Sequence, residues 1–232
     1  MTSSDKHPLP GITVLTLGAA GCAGVLSLFE GEYFRPYLGN VHPLLAIAAA
    51  AVVGVTAIGS LHRRAGVEFL SEQASVRGFV VSAMIATTLA LAMVGVDIAV
   101  RFPRGLNVPP PQSLLFYPAI AFIAEVVFHV FPLALLLAVL QPRLGKPVSG
   151  RLVWICLVVA AFLEPLFQVA HGFADKPRPW VDAYVGLHVF VFNLAQLYVF
   201  RRYDFVSMFL CRIVYYLCWH IVWGYLRLQW LF

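Results

Sequence analysis

Charged side chains are scarce in this chain. They make up 12% of its 232 residues, while 61% are hydrophobic, and a soluble globular domain carries roughly twice that share of charge. The shortage excludes an ordinary water-soluble design. Long polar linkers are missing as well, and the short connections leave no room for a separate soluble domain. Cysteines are few. Cys22, Cys156, Cys211 and Cys218 all fall inside apolar runs and lack the paired spacing of a metal or redox motif, so they read as small apolar packing residues. Beyond "PPP" there is no low-complexity tract, and no internal repeat. The net charge of +5 is not a nucleic-acid signal, because basic residues in a membrane protein report loop placement.

What the chain has in abundance is apolar length. A helix needs roughly 20 residues to cross a hydrocarbon core of about 30 Å, and seven runs meet or approach that, near 10–28, 43–61, 78–100, 114–140, 150–171, 183–200 and 205–226. An eighth, re-entrant or interfacial piece is placed in 101–118 or at the C-terminus. The expected fold is therefore all-α, a polytopic transmembrane bundle of about seven to eight helices forming one integral membrane domain. The first run follows Lys6 and is read as a span; "LGAAGC" has Ala19 where a lipoprotein cleavage box usually has leucine. With the N-terminus inside, nine basic loop residues lie on the inner side against six outside, which favours that orientation. The expected home is a bacterial plasma membrane.

The two halves differ in character. Residues 1–113 are rich in Ala, Val and Gly ("LLAIAAAAVVGVTAIG"), with Asp97 the lone charge inside a run, four residues before Arg101; they read as close-packing scaffold helices. After the Pro-rich "RFPRGLNVPPPQ", residues 114–232 carry aromatics, prolines and ionisable groups. "IAEVVFHVFPL" holds Glu125 and His129, the next run Glu164, Gln168 and His171, the next His188, Asn193 and Gln196, and the last Arg212, Tyr216 and His220. At 100° per residue, Glu125 and His129 lie about 40° apart, Glu164 and His171 about 20°, and Arg212, Tyr216 and His220 span about 80°. His188 and Asn193 lie about 140° apart and share no face.

An ionisable group at a helix centre costs about 2.5–3.5 kcal/mol on the insertion scale, so these residues should turn toward one another or toward a water-filled cavity. Pro132 and Pro165 sit beside the polar sets and open their helices locally. Glu125 with His129 reads either as a hydrogen-bonded pair or as part of a water-activating site; Arg212 reads as a counter-ion to Glu125 or Glu164. Glutamate with two or three histidines is also a zinc-type donor set.

The order of these features resembles the CAAX protease and bacteriocin-processing family, which includes the type II CAAX prenyl endopeptidases. "AEVVFH" (124–129) resembles the family's Glu-Glu-x-x-x-Arg motif, with Ala124 at the first glutamate and His129 at the arginine. "FQVAH" is similar to Phe-x-x-x-His through Phe167 and His171. "NLAQLYVFRRYD" (193–204) resembles the helix that precedes the last motif. The His-x-x-x-Asn motif is met by Arg212 near the expected place, His220 two turns later and Gly224 where asparagine would follow. The likeness covers roughly 114–224.

The resemblance implies an intramembrane endopeptidase of the metallo- or glutamate type, cleaving a membrane-associated or prenylated peptide or protein with no nucleic-acid partner. Glu125, His129, His171 and His220 would be catalytic, supported by Glu164, Arg212 and Tyr216. A divalent metal such as Zn would sit on His171, His220 and Glu125. Two other readings stay open: a degenerate relative that binds a membrane or peptide partner, and an unrelated transporter or proton-relay protein.

Overall fold

The computed structural model describes residues 9–29, 32–71, 75–141, 148–171 and 179–232, and their regular structure is all helical. The elements are α1 (Leu9–Leu26), α2 (Arg35–Leu38), α3 (Pro43–Ala65), α4 (Ser75–Val100), a 3-10 turn (Arg104–Leu106) and α5 (Ser113–Ala124). A π-helical segment, Glu125–Val130, carries α5 into α6 (Phe131–Leu140). Then follow α7 (Gly150–Ala161), α8 (Leu163–His171), α9 (Pro179–Arg202) and α10 (Phe205–Tyr215), with a second π segment, Tyr216–Trp223, leading into α11 (Gly224–Trp230). Among the described residues six helical runs are long and apolar enough to cross a membrane, and Pro10–Leu26 is a shorter apolar helix. The chain is thus a multi-pass helical membrane protein, with six long spans and one short one where seven to eight were expected.

Local chemistry sets the helix ends. Pro43 stands in the first turn of α3, where its missing N–H is not needed, and the His42 ring nitrogen accepts from Leu44 N–H at 3.3 Å. α3 stops at Gly66, whose φ of 66° suits glycine. Ser149 caps α7 by accepting from Leu152 N–H at 3.2 Å. Asp204 caps α10 at 2.6 Å with one oxygen and holds Ser71 N–H at 3.0 Å with the other. The loop after α3 is therefore pinned to the α9–α10 turn, where Phe205 and Val206 N–H donate to the carbonyls of Glu68 and Phe69.

Large apolar side chains cover the outside. Leu17, Val52, Met84 and Leu91 are each more than 60% exposed, an arrangement for lipid rather than water. The Ser113–Leu140 span is 56% buried over its apolar window, against 22% for Val76–Val100, so the first is the central helix and the second lies at the edge. α1 packs on α3 and α5, and α4 on α10. The α4–α10 approach is close: a Cβ on Gly78 would lie 3.1 Å from that of Ser207, and Ser82 donates to the Ser207 carbonyl at 2.8 Å. Small residues at such a seam let backbones meet where lipid supplies no hydrophobic drive.

Prolines open the helices where expected, and the freed groups find partners. Pro165 cannot donate to the carbonyl of Ala161, four residues earlier. The run read from sequence as a single span, 150–171, is accordingly broken between α7 and α8, and Asn193 from α9 donates to that carbonyl at 3.3 Å. Pro132 sits just after the first π segment, whose wider turn includes a bond from Phe131 N–H to the Val126 carbonyl.

Residues 101–112, where a re-entrant piece was placed, form an irregular strap over one end of the bundle. Its clasp is Asp97. This carboxylate binds Arg227 at 2.6 and 2.9 Å and accepts from Trp223 Nε1 at 2.7 Å and Phe102 N–H at 2.8 Å. Arg227 also donates to the carbonyls of Phe102 (2.6 Å) and Pro103 (3.0 Å). Arg227 is fully buried, so it is no longer one of the six outer loop charges. Breaking a buried pair from one side leaves an uncompensated charge and costs about 3–5 kcal/mol. Arg227→Leu should lower unfolding stability in lipid nanodiscs by about that amount, and a variant as stable as wild type would show that the clasp does not hold the strap.

Candidate functional site

Arg212 enters the bundle from α10 and is 1% exposed. A guanidinium has five N–H donors and no acceptor, and all five are used. Nε donates to Glu125 Oε1 at 2.6 Å. Nη1 donates to Glu164 Oε1 at 2.9 Å and to the Tyr216 hydroxyl at 3.0 Å. Nη2 donates to Glu164 Oε2 at 2.8 Å and to Gln196 Oε1 at 3.2 Å. The pairing with Glu164 is bidentate, the strongest form of such contacts. Both counter-ion assignments for Arg212 are met at once.

The acceptors are shared in turn. Glu125 Oε1 also accepts from Gln196 Nε2 at 2.5 Å, and Oε2 pairs with His129 Nδ1 at 2.7 Å. Gln168 donates to Glu164 at 3.3 Å. Among the described residues His129 Nε2 has no hydrogen-bond partner, and it stands 4.0 Å from Glu164 Oε2. Glu125, His129, Glu164, Gln168, Gln196, Arg212 and Tyr216 therefore form one network drawn from four helical runs. Glu125 and His129 lie on the first π segment, whose widened turns are frequent at functional sites.

An apolar chamber of about 340 Å³ lies against one side of this network. Phe128, Phe167, Phe192 and Trp219 are among its aromatic walls, and Glu164, Gln168, Arg212, Tyr216 and His220 are among the polar residues on its lining. Glu125 and His129 are fully buried and not on the lining, whereas Ala124 is. His220 belongs to the chamber side. Its ring stacks on Tyr117 at 4.7 Å, meets Tyr216 edge-on at 5.0 Å, and bonds through Nδ1 to Asn107 Oδ1 at 2.7 Å.

The remaining candidates separate. The side chain of His171 lies outside the described residues. His188 bonds to the Tyr215 hydroxyl at 3.1 Å and serves packing between α9 and α10. Gln196 is a full member of the network, and Asn107 was not foreseen at all. Among the described residues no group of three or more His, Cys, Asp or Glu could hold a metal ion. Of the expected set, Glu125 is committed to Arg212, Gln196 and His129, and His220 Nδ1 to Asn107. These described donors do not fit a metal centre, and no chemical step is routed through one.

The network's stability is testable by charge. Arg212→Met would leave two buried carboxylates without their cation and should destabilise the protein by about 3–5 kcal/mol. The triple replacement Glu125→Gln, Glu164→Gln, Arg212→Met removes all three charges and should recover most of that loss, as read by denaturant unfolding in nanodiscs. A single variant no less stable than the triple would overturn the coupling.

In comparisons with known proteins, no family model, no curated protein and no solved structure matches the chain.

Proposed function

We propose that the protein is an intramembrane endopeptidase resembling the CAAX protease family, which hydrolyses a peptide bond of a membrane-associated or prenylated peptide held in the chamber. The observation that carries this reading is the convergence of polar side chains from the motif-bearing helices, Glu164, Gln168, Arg212, Tyr216 and His220, on one apolar chamber inside a membrane-spanning bundle. Such a chamber, mostly apolar with a few convergent polar groups, is the usual form of a small binding site.

The chemistry assigned to it is general-base hydrolysis. His220 takes a proton from water, and the resulting hydroxide attacks the scissile carbonyl carbon. The Tyr216 oxygen accepts from Arg212 at 3.0 Å, so its own O–H is left to donate to the carbonyl oxygen as negative charge gathers there. The imidazolium of His220 then returns its proton to the amide nitrogen, which leaves as the amine when the C–N bond breaks. Glu125, expected as the base, is assigned the task of holding Arg212 and His129, because it is off the chamber wall and its oxygens are engaged. The proposed setting is a bacterial plasma membrane with the N-terminus inside, supported by nine inner basic residues.

A second reading, binding without cleavage, is favoured by one observation. Ala124 lines the chamber, at the position where the family pattern has its first glutamate. Mass spectrometry of membrane-peptide termini in producing cells separates the two. Wild type should yield termini that vanish with His220→Ala and Tyr216→Phe at equal protein levels. Reconstituted cleavage of a peptide so identified should slow by about 10²–10⁴-fold for His220→Ala and about 10²–10³-fold for Tyr216→Phe. Identical termini in all three strains would refute the protease; a membrane peptide still captured by a photo-crosslinker at Phe128 would then establish binding alone.

A further inference from the structure

An imidazole offers a base only at the nitrogen that lacks a proton, and which nitrogen that is depends on what the other one touches. His220 Nδ1 lies 2.7 Å from the side-chain oxygen of Asn107. An amide oxygen only accepts. The ring itself lines the chamber, and no group among the described residues is bonded to Nε2.

We infer that Asn107 is a positioning residue for His220: its Oδ1 accepts a hydrogen bond from Nδ1–H and fixes the tautomer in which Nε2 is the unprotonated acceptor presented to the chamber. Three independent features hold Asn107 to this task. The strap that carries it is tied down on both sides, by Arg227 on the carbonyls of Phe102 and Pro103, and by the Tyr117 hydroxyl accepting from Val108 N–H at 3.2 Å. The helix it leans on has a glycine at the point of contact, since a Cβ on Gly224 would lie 2.9 Å from Asn107 Nδ2 and 3.1 Å from its Cβ. Among the described residues the buried Nδ2 has no hydrogen-bond partner, and the polar contact of this amide side chain is the one to His220. Tyr117 completes the arrangement, because the same side chain that accepts from the strap also stacks under the imidazole at 4.7 Å. The strap and the ring are thus referenced to one aromatic plane.

The consequence for catalysis rests on the proposed hydrolysis, but the tautomer is measurable without any substrate. The experiment is 15N NMR of histidine-labelled protein in lipid nanodiscs, with the His220 signals identified by their loss in His220→Gln. In wild type at a pH where the ring is neutral, Nδ1 should show the protonated signature and Nε2 the unprotonated one, the reverse of the tautomer a free imidazole prefers. Asn107→Asp, which keeps an acceptor oxygen at the same place, should retain that pattern. Asn107→Leu and Gly224→Ala, the second acting only by displacing the amide, should move His220 toward the Nε2–H form. An Nε2–H signature in wild type, or an Nδ1–H signature unchanged in Asn107→Leu, would overturn the assignment. Because no turnover is read, a protein that cleaves nothing leaves this test intact, and a failed test leaves the peptide-termini comparison intact.

Discussion

Arg212 is the constraint on which the rest of the molecule depends. A cation at membrane depth is expensive, and it persists only where partners replace its water. Here five N–H groups meet acceptors on Glu125, Glu164, Gln196 and Tyr216. Those residues come from four separate runs of chain. Pairing a guanidinium bidentately fixes direction as well as distance, so one side chain sets how α8, α9, α10 and the first π segment lie relative to one another. The chamber exists because this network holds its polar side in place while aromatic side chains form the remainder.

A boundary runs through the motif-bearing helices between what is structural and what is available. It passes between neighbours: Ala124 looks into the chamber and Glu125 into the network. On the buried side the carboxylate oxygens of Glu125 are taken up by Arg212, Gln196 and His129. On the open side stand Tyr216, whose oxygen is held by Arg212, and His220, whose ring is held by Asn107. The same guanidinium therefore both ties four helical runs together and polarises a hydroxyl on the cavity wall.

Much of this was legible in the sequence, and the exceptions have physical reasons. Apolar length located the spans, because the lipid core sets a minimum that short connections cannot hide. The contact of Glu125 with His129 followed from i, i+4 spacing, and the acid partners of Arg212 from the rule that intramembrane charges seek opposites. Gln196 and Asn193 were harder, since they serve different masters on one helix. Gln196 joins the network, while Asn193 reaches the carbonyl that Pro165 orphans. Asp97 and Arg227 are 130 residues apart, and no periodicity links two lone charges at helix ends. Asn107 comes from an irregular strap, where side-chain direction is set by tertiary contacts alone. Gly224 looked like a gap in a motif, yet it is the space that admits Asn107.

The second π segment has a consequence for the length of the chain. It lies between two arginines on one continuous helical run, Arg212 bound to the glutamates and Arg227 bound to Asp97. These partners sit in different parts of the bundle, and the widened turns set the angular phase between them. Removing one residue from Tyr216–Trp223 would allow a more regular helix, but everything beyond would swing by about 100°. The clasp, the strap and the histidine it orients would lose their common phase. This stretch is therefore held to a fixed residue number, over and above the roles of its side chains, by a length rule imposed by two buried charges rather than by the membrane's thickness.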